Sequence, residues 1–191
     1  ERARLPVARK PDSQEVCFVL SGDYREFLRQ HGAGRPGEIV DLEGRPVGEH
    51  NGVGFFTVGQ RRGLGIAKGK PMYVVSIDAP NGRVVVGPEE ALYQQGLLAE
   101  GVNWVEGVPP GPVDAQVKVR YKAPAVEATV VPTGPSTAEV HFREPQRAIT
   151  PGQGVAFYDG ERVLGGGFIL GPLKESTLST ATKAECLAGV G

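Results

Sequence analysis

The chain has 191 residues, 40% of them hydrophobic, enough for one large domain or two small ones around a real core. Its formal net charge is −1, with 21 Lys and Arg against 22 Asp and Glu, which excludes a domain wrapped in nucleic acid by bulk electrostatics and confines any RNA contact to local basic clusters. No apolar run is long enough for a membrane helix, and Glu1 to Lys10 mixes charges with single apolar residues rather than forming a signal peptide, so the expected location is cytoplasmic with no membrane partner.

In chain order, a polar turn at Asp12 to Gln14 leads into Val16-Cys17-Phe18, followed by one short predicted helix, Asp23 to Gln30. Ser21-Gly22-Asp23 supplies its capping chemistry, and Tyr24, Phe27 and Leu28 fall on one helical face. Gly37 to Val40 and Val47 to His50 read as strands paired about the turn Leu42-Glu43-Gly44-Arg45. Asn51 to Lys70 is too rich in glycine for a regular helix and too basic for a core strand. Met72 to Asp78 and Arg83 to Gly87 form a hairpin about Pro80-Asn81-Gly82, residues that tolerate positive φ between two β-branched runs. A helical turn is expected at Ala91 to Gln95 and a strand at Leu97 to Val105, ending at the linker Gly107 to Pro112, which reads as a domain boundary.

Beyond it, Val113, Ala115, Val117, Val119 and Tyr121 alternate with Asp114, Gln116, Lys118 and Arg120, the period-two pattern of a strand with one core face and one charged face. Further strands are expected at Val126 to Val131, Thr137 to Phe142, Val155 to Tyr158 and Val163 to Leu170. The fold class is therefore mainly β: a small β-rich central domain over 32–106, then a Greek-key β-barrel over 107–171. A segment containing the short helix, 1–31, precedes them, and a tail without strand pattern, 172–191, follows and is expected to be disordered.

Few residues carry chemistry. Cys17 is either a buried packing residue or a thiol near a helix N-terminus, where the thiolate is favoured. A disulfide to Cys186 would close nearly the whole chain and is disfavoured in a reducing compartment. His31, His50 and His141 stand far apart and away from either cysteine, so no metal site is expected. The Gly59 to Gly65 stretch lacks the Gly-Lys-Ser/Thr ending of a phosphate loop. It suits RNA better: glycines permit close backbone approach, Gln60 can hydrogen-bond, and Arg61 and Arg62 can pair with phosphate or stack on bases. Alternatively, the arginines are bonded to neighbouring carboxylates in a tight loop, and His50 is a satisfied loop histidine. Lys118, Arg120 and Lys122 are candidates for backbone phosphate contacts.

The string Lys10-Pro11-Asp12-Ser13-Gln14-Glu15-Val16-Cys17-Phe18 resembles the segment around the second catalytic cysteine of the bacterial tRNA-specific 2-thiouridylases, the MnmA family. Three further blocks match in order: Pro36-Gly37-Glu38-Ile39-Val40; His50-Asn51-Gly52 with Thr57-Val58-Gly59-Gln60-Arg61-Arg62-Gly63-Leu64-Gly65-Ile66; and Ala148-Ile149-Thr150-Pro151-Gly152-Gln153 with Phe157-Tyr158 and Leu164-Gly165-Gly166-Gly167. The resemblance implies that residues 1–31 end a nucleotide-binding domain of the ATP-pyrophosphatase type. The bulk of that domain, with its Ser-Gly-Gly-Val-Asp-Ser loop and first catalytic cysteine, is not in this sequence, so the chain reads as a fragment inactive by itself.

The family's reaction, as the resemblance implies it, uses ATP with Mg2+ on the missing domain to adenylate the C2 oxygen of the wobble uridine. A cysteine persulfide, loaded by a sulfur-carrier or persulfide-donor protein, then delivers sulfur, and the cysteine pair is left as a disulfide. Cys17 matches the persulfide-bearing residue, suited to it because a thiolate is strongly nucleophilic near neutral pH. His50, Gln60, Arg61, Arg62, Lys118, Arg120 and Lys122 are the expected tRNA contacts, on a monomer. Cys186 matches no family position. The competing expectation is a non-catalytic RNA- or protein-binding barrel of the translation apparatus, in which Cys17 only packs.

Overall fold

The computed structural model describes residues 34–66, 69–121 and 123–173. The predicted helix at Asp23 to Gln30, both cysteines, Lys122 and nearly all of the 172–191 segment lie outside the described residues.

A four-stranded sheet comes first, in the spatial order β2-β1-β4-β3, with β1 Gly37–Val40, β2 Pro46–His50, β3 Tyr73–Asp78 and β4 Arg83–Gly87. β1 and β2 pair antiparallel about the predicted turn. That turn is built on Asp41, a buried carboxylate whose Oδ1 accepts the amide N–H of Glu43 and Arg45 at 3.2 and 2.9 Å, while Oδ2 accepts Nε of Arg45 at 2.9 Å. These bonds satisfy the turn backbone, and Gly44 supplies the left-handed residue with φ 79°. The hydrogen bond and charge of Asp41, aided by Glu43, raise the Arg45 pKa above its ordinary value.

The β3–β4 hairpin forms at Pro80-Asn81-Gly82 as predicted, with Gly82 alone of the three at positive φ, 64°. β4 also pairs with β1, in parallel. The sheet core is Ile39, Val74, Val84 and Val86, with Leu64 reaching in from the glycine-rich stretch.

The second unit is a closed six-stranded barrel in the order β10-β5-β8-β7-β6-β9. Its strands are β5 Tyr93–Trp104, β6 Val113–Lys118, β7 Val126–Gly134, β8 Thr137–Arg147, β9 Gly154–Asp159 and β10 Arg162–Pro172. β6, β7 and β8 form a meander and β5 lies beside β8, which is the Greek-key arrangement expected. Inward residues of all six strands fill the interior, centred on Phe157, Val117, Val130, Val140, Leu97 and Ile169.

Three expectations are corrected. The helical turn is a 3-10 segment at Glu89–Leu92, and the strand after it starts at Tyr93 and runs 12 residues as a barrel stave. The Gly107 to Pro112 linker is consequently a loop between β5 and β6 of one barrel, and the change from sheet to barrel falls at the 3-10 segment instead. Finally, β6 stops at Lys118, the backbone bends at 119–120, and Tyr121, expected on the core face, is 83% exposed.

The Gly165-Gly166-Gly167 run also finds its reason. An added Cβ would lie 2.7 Å from the Asn103 carbonyl oxygen, 2.7 Å from that of Val155 and 2.6 Å from that of Glu100, respectively. β10 passes so close to both neighbours, with register shifts along the way, that side chains have no room.

Candidate nucleic-acid interface

The glycine-rich stretch is anchored on the sheet before it exposes any charge. A 3-10 turn at Val53–Phe55 follows β2, and Phe56, Leu64 and Ile66 pack into the sheet core on either side of the arginines. Between these anchors, Gly59 donates its amide to the Val74 carbonyl at 2.8 Å, and the Gln60 carbonyl accepts the Val74 amide at 2.9 Å, so the loop rides on β3. Gly59 and Gly63 take φ of 88° and 75°, turning the chain before and after Gln60-Arg61-Arg62.

Of the predicted contacts in this stretch, Arg61 and Arg62 are exposed and form no ion pair among the described residues. Gln60 is turned to the loop itself. Its Oε1 accepts the Thr57 amide at 3.0 Å and its Nε2 donates to the Arg62 carbonyl at 2.9 Å.

His50, another of the expected tRNA contacts, is buried. Its Nδ1 accepts the Gly52 amide at 3.0 Å, which leaves the proton on Nε2, 3.1 Å from the Gly82 carbonyl. Phe56 stands edge-on to the ring at 5.3 Å. His50 thus ties the end of β2 to the β3–β4 turn, and neither nitrogen is left for a ligand. Glu49, His50, Gln60 and Arg62 do border one polar hollow of about 530 Å³.

On the barrel, Lys118 lies at the end of β6 with its Nζ 5.9 Å from the Tyr121 ring centroid. The Tyr121 ring extends from the bend that stops β6. It was missed in the sequence because alternation, continued three residues past the end of β6, assigns it to the core. Arg120 is half-buried and its Nη2 donates to the Ala148 carbonyl, so part of its donor set is used within the protein.

Ala148 is where the two units meet. It is the one non-glycine residue at positive φ, 55°, among the described residues. Its amide donates to the Leu92 carbonyl at 2.8 Å, and its carbonyl also accepts the Thr150 hydroxyl at 3.0 Å. With Tyr73 and Leu92 it forms a small core between sheet and barrel, flanked by Val58 and Val75. Arg147 beside it lies over the Tyr73 ring at 5.6 Å and pairs with Glu89 at 3.3 Å. An added Cβ on Gly59 would lie 3.3 Å from the Ala148 Cβ, so Gly59 from the arginine loop and Arg120 from the barrel both abut one residue. Next to this junction, Phe56, Val75, Ile77, Leu92, Ile149 and Pro172 help to line an apolar cleft of about 290 Å³.

Among the described residues no group of three or more His, Cys, Asp or Glu could hold a metal ion, and no helix is long and apolar enough to cross a membrane. Nor do they offer a strand–glycine loop–helix cradle for a nucleotide triphosphate: Gly59 to Gly65 runs between a 3-10 turn and β3.

Residues 25–88 match the family model described as the tRNA methyl transferase PRC-barrel domain, and residues 94–169 match the aminomethyltransferase beta-barrel domain. A relative named tRNA-specific 2-thiouridylase MnmA from Magnetococcus marinus is 51% identical over 173 residues, covering 89% of this chain and 48% of the relative. Relatives of the same name from Roseiflexus sp. and Roseiflexus castenholzii are 53% and 54% identical over 168 residues, covering 86% of this chain and 45% of each relative. The chain spans about half the length of these curated relatives. With two adjoining family models and identity near one half across sheet and barrel alike, the chain belongs to the MnmA family of tRNA-specific 2-thiouridylases.

Proposed function

We propose that this chain is the tRNA-holding part of a sulfurtransferase that replaces the C2 oxygen of a wobble uridine with sulfur, and that Cys17 carries the transferred sulfur as a persulfide. The observation that carries the tRNA reading is the presentation of Arg61 and Arg62, exposed and without ion pairs among the described residues, on a loop fixed to a folded sheet. In a chain of net charge −1, two guanidinium groups left exposed and without ion pairs among the described residues suit a local polyanion contact. Lys118, with the free donors of Arg120 and the exposed Tyr121 ring, supplies a second contact in which charge meets phosphate and the ring stacks on an unpaired base. Lys122 is proposed as a further phosphate contact. Because both elements abut Ala148, one RNA can touch them together.

In the proposed reaction the uridine C2 oxygen attacks the α-phosphate of ATP, a substrate, and pyrophosphate leaves. The terminal sulfur of the Cys17 persulfide bonds to C2 and AMP departs with the former C2 oxygen; a partner thiolate then attacks the Cys17 Sγ, the bond from Sγ to the transferred sulfur breaks with its electrons going to that sulfur, and 2-thiouridine is released as the two cysteines are left as a disulfide. The described residues hold the RNA and perform none of the adenylation. A persulfide-donor protein reloads Cys17 after the disulfide is reduced, and the protein works as a monomer in the cytoplasm.

The test is a tRNA thiolation assay with ATP and a persulfide donor. It compares this chain with a version extended N-terminally to the length of its relatives, each also as Cys17→Ser. Activity in the extended protein alone, abolished by Cys17→Ser, is the expected result. Full activity of Cys17→Ser overturns the assignment of Cys17, and thiolation by the short chain overturns its reading as a part.

A further inference from the structure

Gln60 has the chemistry of a base-reading side chain and the geometry of a clasp. Its amide spans Arg61: the oxygen holds the Thr57 N–H upstream at 3.0 Å and the nitrogen holds the Arg62 carbonyl downstream at 2.9 Å. Its own backbone closes the same turn, N–H to the Thr57 carbonyl at 2.9 Å, and pins it to β3 through Val74. Gly63, at φ 75°, stands where an added Cβ would be 3.8 Å from Gln60 Nε2, so the chain folds back over the amide. With the Arg62 carbonyl held inward, both arginine side chains are left on the outside of one closed loop.

We propose that Gln60 is a positioning residue: it keeps the Thr57 to Arg62 loop closed so that Arg61 and Arg62 meet the phosphates of a tRNA backbone as a pair. This rests on the reading of the loop as a tRNA contact and deepens it. Losing the clasp lets the Arg61–Arg62 end of the loop splay beyond the backbone bonds that hold Gly59 and Gln60 to Val74, so that the two guanidinium groups no longer reach their phosphates together. An amide already bonded at both ends contributes through the loop it shapes, not through a bond to RNA.

Two kinds of loss separate the possibilities. Each phosphate contact contributes a slope of roughly 0.7 to 0.9 to the fall of log affinity with log salt, whereas a hydrogen bond to a base or sugar contributes almost none. The affinity of the full 191-residue chain for a transcript of a tRNA with a wobble uridine is measured over a salt series. The variants are Gln60→Met, Gln60→Asn, Arg61→Ala/Arg62→Ala and the Gln60→Met triple. Asn keeps an amide but is one methylene too short to bridge Thr57 and Arg62.

The expected result is that Arg61→Ala/Arg62→Ala lowers the slope by about 1.5, that Gln60→Met and Gln60→Asn each reproduce most of that drop, and that the triple variant loses nothing more. Hydrogen exchange of the Thr57 amide accelerates in both Gln60 variants and stays slow in the arginine variant. A Gln60→Met chain that loses affinity at unchanged slope makes Gln60 a direct contact and overturns the proposal. So does one that keeps affinity and slope. An unchanged slope in Arg61→Ala/Arg62→Ala removes the tRNA reading of this loop, and the proposal with it; that failure is told from the others because the arginine variant alone reveals it.

Discussion

Ala148 lies directly over Gly59, so that a methyl group added to Gly59 would come 3.3 Å from the Ala148 Cβ. The first of these residues belongs to the barrel's β8–β9 connection and the second to the arginine loop, and both take left-handed backbone angles. A non-glycine residue there costs of order 1 kcal/mol and persists only where its surroundings fix it. Here three hydrogen bonds do so, from the amide to Leu92 and to the carbonyl from Arg120 and Thr150. Ala148→Val, with its branched side chain, is expected to destabilise the protein by at least about 2 kcal/mol. Ala148→Gly removes strain and a buried methyl together and is expected to stay within about 1 kcal/mol of the parent. Denaturant midpoints at constant m-value distinguish the two; equal losses would mean that backbone conformation is not what matters at 148.

His50→Ala is expected to cost about 2 kcal/mol, because the Gly52 amide and the Gly82 carbonyl lose their partner inside the fold. The salt slope of tRNA binding should stay as it was. A lowered slope with unaltered stability would return His50 to the RNA surface.

Much of the fold was legible because the strands obey period two with turn residues between them. Val113 to Lys118 and the Pro80-Asn81-Gly82 hairpin are cases where local chemistry decides. β5 was half hidden: Gln94, Gln95, Gly96 and Gly101 interrupt its apolar pattern, and Gly96 is there because an added Cβ would lie 2.4 Å from the Val140 carbonyl oxygen. That is a tertiary constraint with no local signature. At the site, Arg61 and Arg62 were legible as a basic cluster, whereas the true role of His50 depends on Gly82, 32 residues away. Gln60 was misleading for a different reason, since nothing in a sequence tells whether an amide's partners are its own loop or a ligand.

At the barrel seam, Gly167→Ala is expected to destabilise by about 1 to 3 kcal/mol, because its Cβ would lie 2.6 Å from the Glu100 carbonyl and 3.1 Å from the Val102 Cα, both backbone. Gly171→Ala, on the same strand with nothing within 4 Å, is the control and should be near neutral. Similar thermal midpoints for the two variants would show that β10 has slack the packing does not reveal.

In the β1–β2 turn, Asp41→Ala should cost about 1 to 2 kcal/mol, since it strips buried partners from two backbone amides. Arg45→Ala, the loss of an ion pair whose cation is 71% exposed and screened by solvent, should cost less than Asp41→Ala. The raised Arg45 pKa gives stability present below its ordinary value and lost only in still more alkaline solution, so Arg45 should leave no step in stability between pH 6 and 9. A larger loss for Arg45→Ala than for Asp41→Ala in urea unfolding would reverse the assignment of which partner organises the turn.

The two matched family models adjoin between residues 88 and 94, and there the protein has a 3-10 segment whose Leu92 is buried against Tyr73 and Ala148 rather than a tether. Separately catalogued modules are thus joined as a plug is to its socket. Exchange of either one between relatives succeeds only if the incoming piece brings a matching face for Leu92, and a cut at this point would open an apolar surface on both halves instead of freeing two finished domains.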